Sequence, residues 1–192
     1  MIAIVKYNAG NTKSVENAVR RLGYDCIVTA DENEIRSANK VIFPGVGEAG
    51  SAMQHLKATG LDRVLRDLTQ PVLGICLGLQ LMCASSEESE TTGLGIFDVH
   101  VKKFAPRDKV PHMGWNNFTA VEGSLFSNVQ LADDVYYVHS YYAAVSENTI
   151  GICDYILPFS AALQKDNFYA VQFHSEKSGA VGIQILKNFL AL

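Results

Sequence analysis

The sequence predicts an α/β protein, an open and mostly parallel sheet flanked by helices with a β-rich second half. Three observations carry this. Apolar, strand-like runs alternate with helical spacings through the first half of the chain. That order, strand then helix then strand, implies parallel neighbours joined by right-handed crossovers. After Glu87 the helical spacing gives way to short alternating runs and returns only at the C-terminus.

The elements follow in order. Ile2 to Tyr7 reads as a buried strand, and Asn8-Ala9-Gly10-Asn11 supplies turn chemistry. Val15, Ala18, Val19 and Leu22 then fall at i, i+3, i+4 and i+7, the stripe of an amphipathic helix that Gly23 stops. Cys26 to Thr29 is a short strand, and Asp31 with Glu34 resembles a capping box for a brief helix. Lys40 to Phe43 is a third strand, ending in Pro44-Gly45-Val46-Gly47. A helix follows through Met53 and Leu56, a second helical segment runs from Leu61 to Leu68, and Pro71-Val72-Leu73-Gly74 forms the next strand. In the second half the strand candidates are 97–104, 118–121, 135–141, 149–155, 160–164 and 168–173. Val181, Ile185, Leu186 and Phe189 mark a closing helix that packs on the sheet. No repeat, linker or low-complexity tract divides residues 1–192, so one domain is expected.

The chain is organised around Gly74-Ile75-Cys76-Leu77-Gly78, where a strand meets a helical run, Leu79-Gln80-Leu81-Met82-Cys83-Ala84. Small residues two places before and after a nucleophile let the backbone turn sharply and leave the side chain exposed above the sheet. A thiol in the first turn of a helix feels the positive end of the dipole, which favours the reactive thiolate. The Leu77 N–H would point outward as an oxyanion donor. A buried cysteine packed between two glycines is the alternative, because free cysteine behaves as a small hydrophobe. Cys83, two turns along the same run, is expected to face the core.

Composition excludes several classes. With 48% hydrophobic and 19% charged residues the chain is an ordinary globular protein, and at a net charge of -4 it offers no basic stripe for nucleic acid. No run is long enough to span a membrane and the N-terminus lacks a signal-peptide pattern, so a cytoplasmic location is expected. Cys26, Cys76, Cys83 and Cys153 form no C-x-x-C pair, and His55, His100, His112 and His139 follow no ligand spacing. Neither a metal nor a cofactor is expected.

A base for Cys76 is available late in the chain. His174-Ser175-Glu176 follows the strand that ends in Gln172-Phe173. In an extended segment residues two apart share a side, so Glu176 could orient His174, and a carboxylate-held imidazole serves both to take a thiol proton and to return one to a leaving amine. A strand-end histidine beside a solvated glutamate is the bland alternative.

With these residues in place, the sequence resembles the class I (triad) glutamine amidotransferases. Within them it is most similar to the glutaminase subunits of imidazole glycerol phosphate synthases. Pro44-Gly45-Val46-Gly47, Gly74 to Gln80, Pro111-His112-Met113-Gly114-Trp115-Asn116, Tyr136 to Tyr142 and Phe173 to Ser178 carry the resemblance in order across essentially the whole chain. One departure is Ser175, where the family commonly has proline; serine keeps a backbone N–H that proline lacks.

The resemblance implies a flavodoxin-like sheet and hydrolysis of glutamine to glutamate and ammonia through a cysteinyl thioester, with Cys76, His174 and Glu176 as the triad. It implies that a backbone N–H of Val46 or Gly47 joins Leu77 in the oxyanion hole, in a strand whose donor can be turned away until the partner's substrate binds. It also implies that Gln80, Ser140, Tyr141 and Ser175 hold the glutamine, and that Met113, Trp115, Tyr136 and Lys177 face the partner. Gln80 as a helix cap, Ser140 and Tyr141 as ordinary strand residues, and Trp115 as a core plug are the alternatives. Nothing in the chain could accept ammonia. The implied partner is therefore the (β/α)8-barrel cyclase subunit of imidazole glycerol phosphate synthase, in a heterodimer serving histidine biosynthesis. A glutaminase serving pyridoxal phosphate or aminodeoxychorismate synthesis is opposed by His112 to Asn116 and Glu176 to Ser178. A noncatalytic module with an oxidant-sensing cysteine is the reading from another class.

Overall fold

Strand β1 (Ile2–Val5) shows how the chain fills its core, because Ile2 and Ile4 join one hydrophobic cluster while Ala3 and Val5 join another. A strand apolar on both faces belongs inside a layered sheet. In the computed structural model, which describes residues 1–192, the chain runs α1 (Thr12–Arg21), β2 (Cys26–Thr29), α2 (Glu32–Ser37), β3 (Lys40–Gly45), α3 (Ala49–Thr59), α4 (Leu61–Arg66), β4 (Val72–Cys76) and α5 (Leu77–Met82). It continues through β5 (Cys83–Ser86), β6 (Thr91–Thr92), β7 (Phe97–Lys103), β8 (His112–Asn116), β9 (Ala120–Val121), β10 (Val135–His139), β11 (Tyr141–Ala143), β12 (Thr149–Tyr155), β13 (Leu157–Lys165), β14 (Phe168–Val171) and α6 (Gly179–Ala191).

The main sheet has the order β2-β1-β3-β4-β14-β13-β12-β9. Its first five strands are parallel and the last three add antiparallel. Val15, Ala18 and Val19 of α1 and Ile185, Leu186 and Phe189 of α6 cover one face. Ile35 of α2, Met53 and Leu56 of α3 and Val64 and Leu65 of α4 cover the other. Each such side chain contributes about 1.5–3 kcal/mol on burial, so both layers hold the sheet rigid beneath the strand ends. The β-rich second half is divided between β14, β13, β12 and β9 of this sheet and two small sheets, β10-β8 and β11-β7-β5-β6.

Several elements differ from the sequence expectation for local reasons. The helix after Cys76 stops at Met82, and Cys83 opens β5 instead of closing a second turn, although it is fully buried as expected. The apolar run 79–84 cannot by itself distinguish a buried helix from a buried strand. The strand expected over 135–141 breaks at Ser140, with β10 pairing β8 and β11 pairing β7. Pro44 and Gly45 belong to β3, whose ladder runs to Gly45 opposite Cys76. The 118–121 strand shortens to Ala120–Val121, the 160–164 strand lengthens to Leu157–Lys165, and His112–Asn116 is a strand in its own right.

Candidate active site

The elbow forms because two glycines allow a contact that no side chain would. A Cβ on Gly78 would stand 2.0 Å from the Phe43 carbonyl oxygen, and one on Gly74 would meet Met82 Sδ at 2.5 Å. With β3 and α5 drawn this close, Cys76 takes φ 55 and ψ −108, a left-handed strain that a packed surrounding must maintain. Leu77 follows as the first residue of α5, where first-turn amides have no intrahelical acceptor.

The candidate base comes from the neighbouring strand. His174 stands just beyond β14, and its Nδ1 lies 2.8 Å from Glu176 Oε1, with both side chains at most 2% exposed. The reason for this contact differs from the expected one, since Ser175–Lys177 form a short 3-10 turn and not an extended segment. The turn still brings the carboxylate back onto the ring. Asn11 Nδ2 donates to the same Oε1 at 3.5 Å, a third participant at a position where the sequence predicts only turn chemistry. Its one signal is a place at the carboxyl end of β1.

His174 Nε2 is buried with no aligned hydrogen bond, and it borders the same cavity as Cys76. Burial alone would depress the imidazole, but the Cys76 sulfur and the Glu176 carboxylate outweigh it and hold His174 up at about 10. This environment favours the imidazolium, the form that can protonate a departing amine.

The cavity, about 330 Å³, is lined by Val46, Gly47, Cys76, Leu77, Gln80, Glu88, Pro111, Val138, His139, Ser140, Tyr141 and His174. It thus gathers both parts of the expected oxyanion pair and three of the four expected glutamine contacts. Ser175 is 1% exposed, with its hydroxyl buried and unpartnered, and does not border the cavity. The Val46 N–H donates to the Ala9 carbonyl, so that donor is engaged away from the nucleophile. Glu88, read from sequence as part of a polar loop, places a carboxylate at the wall, where its Oε2 accepts from the Ala49 N–H at 2.8 Å.

A hydrogen-bond chain of fixed polarity runs behind the cavity. The Tyr141 carbonyl can only accept, so Gln80 Nε2 (3.0 Å) and His139 Nδ1 (2.7 Å) both donate to it. His139 Nε2 must then accept from His112 Nδ1 at 2.9 Å, and His112 Nε2 accepts from Asn116 Nδ2 at 3.3 Å. Both rings are thereby neutral, in agreement with burial pushing His112 down to about 4 and His139 to about 3. Gln80 is accordingly no helix cap: its amide ties α5 to the break between β10 and β11.

On the outer side, Met113 and Trp115 of β8 are each 58% exposed, Tyr136 of β10 meets Trp115 edge-on at 5.8 Å, and Lys177 is exposed nearby in sequence to the base. Trp115 is therefore not a core plug.

The glutamine amidotransferase class-I family model matches residues 3–192. The imidazole glycerol phosphate synthase subunit HisH of Bacteroides fragilis (strain YCH46) is 57% identical over 194 residues, covering 100% of this chain and 99% of that protein. The HisH protein of Yersinia pseudotuberculosis is 45% identical with the same coverage. Among solved structures, a glutamine amidotransferase superposes with a TM-score of 0.75 at 15% identity, covering 100% of this chain and 98% of that one. PurLQS from Thermotoga maritima gives 0.74 at 13% identity, covering 99% and 97%. At these identities the solved structures establish the fold.

Proposed function

The chain belongs to the class-I glutamine amidotransferase family, and from that premise we propose that Cys76, His174 and Glu176 are the triad with which it hydrolyses glutamine. The protein is the glutaminase subunit of an imidazole glycerol phosphate synthase, acting in histidine biosynthesis. The observation that carries the site assignment is the 2.8 Å contact between His174 and Glu176 on the cavity that exposes the strained Cys76.

In this reading Cys76 Sγ attacks the side-chain amide carbon and the carbonyl oxygen gains charge beside the Leu77 N–H. His174 gives its proton to the departing ammonia, leaving a glutamyl thioester, and then takes a proton from the water that releases glutamate. Glu176 orients the ring and stabilises its charged form. Gln80, Ser140 and Tyr141 line the space for the glutamine backbone groups, and the Glu88 carboxylate suits its ammonium. Ser175, which does not border the cavity, has no part in holding the glutamine in this reading. The second oxyanion donor is Val46 or Gly47; the former becomes available on release from Ala9 by rotation of the Gly45–Val46 peptide, where Gly45 carries no side chain to hinder the change. Loss of one such donor costs about 10²- to 10³-fold in rate, so this rotation can act as a switch.

We place Met113, Trp115, Tyr136 and Lys177 against a (β/α)8-barrel cyclase, with ammonia passing between the two chains in a heterodimer. In this reading one domain spans 1–192, and its part in histidine biosynthesis supports a cytoplasmic location. The test is a glutaminase assay of the purified chain with and without the cyclase and its nucleotide ligand. Cys76→Ser and His174→Ala should each abolish glutamine-dependent turnover while ammonia-dependent synthesis by the complex persists. Glutamine turnover by Cys76→Ser would refute the assignment.

A further inference from the structure

We propose that Gln172 is a positioning residue for the nucleophile, donating a hydrogen bond to the Cys76 sulfur while fixing the Gln80 carboxamide. This rests on the triad reading above. Gln172 is fully buried two residues before His174, and its backbone N–H still pairs with the Ala161 carbonyl beyond the end of the β14 ladder. Its Nε2 lies 3.8 Å from Cys76 Sγ, and its Oε1 lies 3.1 Å from Gln80 Nε2.

The orientation of the carboxamide is set by the chemistry of its neighbours. The Tyr141 carbonyl accepts only, so the Gln80 end facing it is the NH2 group. The second hydrogen of that group points at Gln172, which must present its oxygen. The Gln172 NH2 group is thereby turned to the sulfur, and a flipped amide would set two NH2 groups against each other. A buried amide held this way is costly unless both ends are satisfied. Its second end is satisfied by a sulfur that carries charge as thiolate, before attack and again as the thioester breaks. The side chain thus links the substrate-facing Gln80 to the nucleophile.

Two substitutions separate these contacts. Gln172→Glu keeps an acceptor for Gln80 but sets a carboxylate against the sulfur; Gln172→Met keeps the volume and removes both contacts. Each variant is assayed in the complex with the cyclase and nucleotide for glutamine kcat and KM, with ammonia-dependent synthesis as the control for an intact complex. Alkylation of Cys76 by iodoacetamide is followed against pH, with the modified peptide identified by mass. The expected loss in kcat is roughly 10- to 100-fold for both, the worth of one hydrogen bond to a charged atom. KM should hold in Gln172→Glu and rise in Gln172→Met, and the alkylation profile should move to higher pH in both.

Reduced kcat with an unmoved alkylation profile would show that Gln172 merely fills space and would overturn the proposal, as would unchanged kcat. Should the buried carboxylate of Gln172→Glu prevent folding, the Gln172→Met alkylation profile decides alone, since a shift supports the contact and no shift overturns it. Alkylation does not depend on glutamine turnover, so the contact can fail while the triad stands, and glutaminase activity in Cys76→Ser would sink the triad without bearing on the contact.

Discussion

Gly78→Ala tests the elbow at its tightest point. The added Cβ would lie 2.0 Å from the Phe43 carbonyl oxygen and 3.2 Å from its carbon. Ordinary heavy-atom contact needs about 3.5 Å, so β3 and α5 must separate by about 1 to 1.5 Å, and the obstacle is backbone with no rotamer to yield. A displacement of about 1 Å in a reacting geometry costs about 10²-fold in rate, and overpacking of this kind costs about 1–3 kcal/mol of stability. Gly78→Ala should therefore lower glutamine-dependent kcat in the cyclase complex by at least about 10²-fold. Ammonia-dependent synthesis, which does not use the elbow, should persist. Gly74→Ala should be milder, since its nearest obstacle is the flexible Met82 thioether at 2.5 Å. Gly60→Ala is the control: at φ +77 with nothing within 4 Å, it incurs left-handed strain of about 1–2 kcal/mol and touches no part of the site. Full activity in Gly78→Ala with an unchanged melting temperature would refute the close-approach account of the elbow.

Acid should weaken the fold through the two buried neutral histidines. Their folded values, about 4 for His112 and about 3 for His139, lie below the ordinary 6.5, so the unfolded chain binds more protons in between. Their contribution is complete above about pH 6.5 and is lost as pH falls toward 4 and 3, by about 1.4 kcal/mol per pH unit for each ring. Urea midpoints measured against pH should show this slope and His139→Gln should flatten it; an identical slope would contradict the tautomer chain. Glu176→Gln should lower glutamine turnover by orders of magnitude through loss of the carboxylate that supports the imidazolium, with ammonia-dependent synthesis intact, and equal glutaminase rates in the two proteins would disprove its role. Trp115→Ala should weaken cyclase binding by about 2 kcal/mol or more without moving the melting temperature of the free chain, as expected of an exposed aromatic anchor; titration calorimetry decides it.

The sequence made the chemistry legible where a local rule sufficed. Gly74 and Gly78 announced a turn that only a side-chain-free backbone can make, and Ile2 to Val5 announced a strand buried on both faces. Long-range polarity was not legible. Nothing local distinguishes Gln172 from any strand glutamine, or Asn11 from any turn asparagine, because their meaning comes from partners 96 and 165 positions away. His112 and His139 showed no ligand spacing, and their tautomers follow only from the single carbonyl of Tyr141 at the end of their hydrogen-bond chain. The break at Ser140 was hidden for a similar reason: residues 135–141 alternate like one strand, and tertiary pairing divides them between two sheets.

The order of strands explains why these distant residues can act together. β3, β4 and β14 are consecutive in the sheet and parallel, so their carboxyl ends lie side by side at one edge. Strand spacing is about 4.8 Å, which places Cys76 after β4 about one strand spacing from both the glycine-flanked segment after β3 and His174 after β14. An antiparallel β14 would send His174 to the opposite edge. The antiparallel additions β13 and β12 then close the far side without disturbing that edge, and the chain between Cys76 and Phe168 is free to build β8 and β10 as an outer face. The same sheet therefore serves two surfaces: rigid strand ends hold Cys76 and His174, while the intervening chain carries Met113 and Trp115 outward and returns Ser140 and Tyr141 to the cavity.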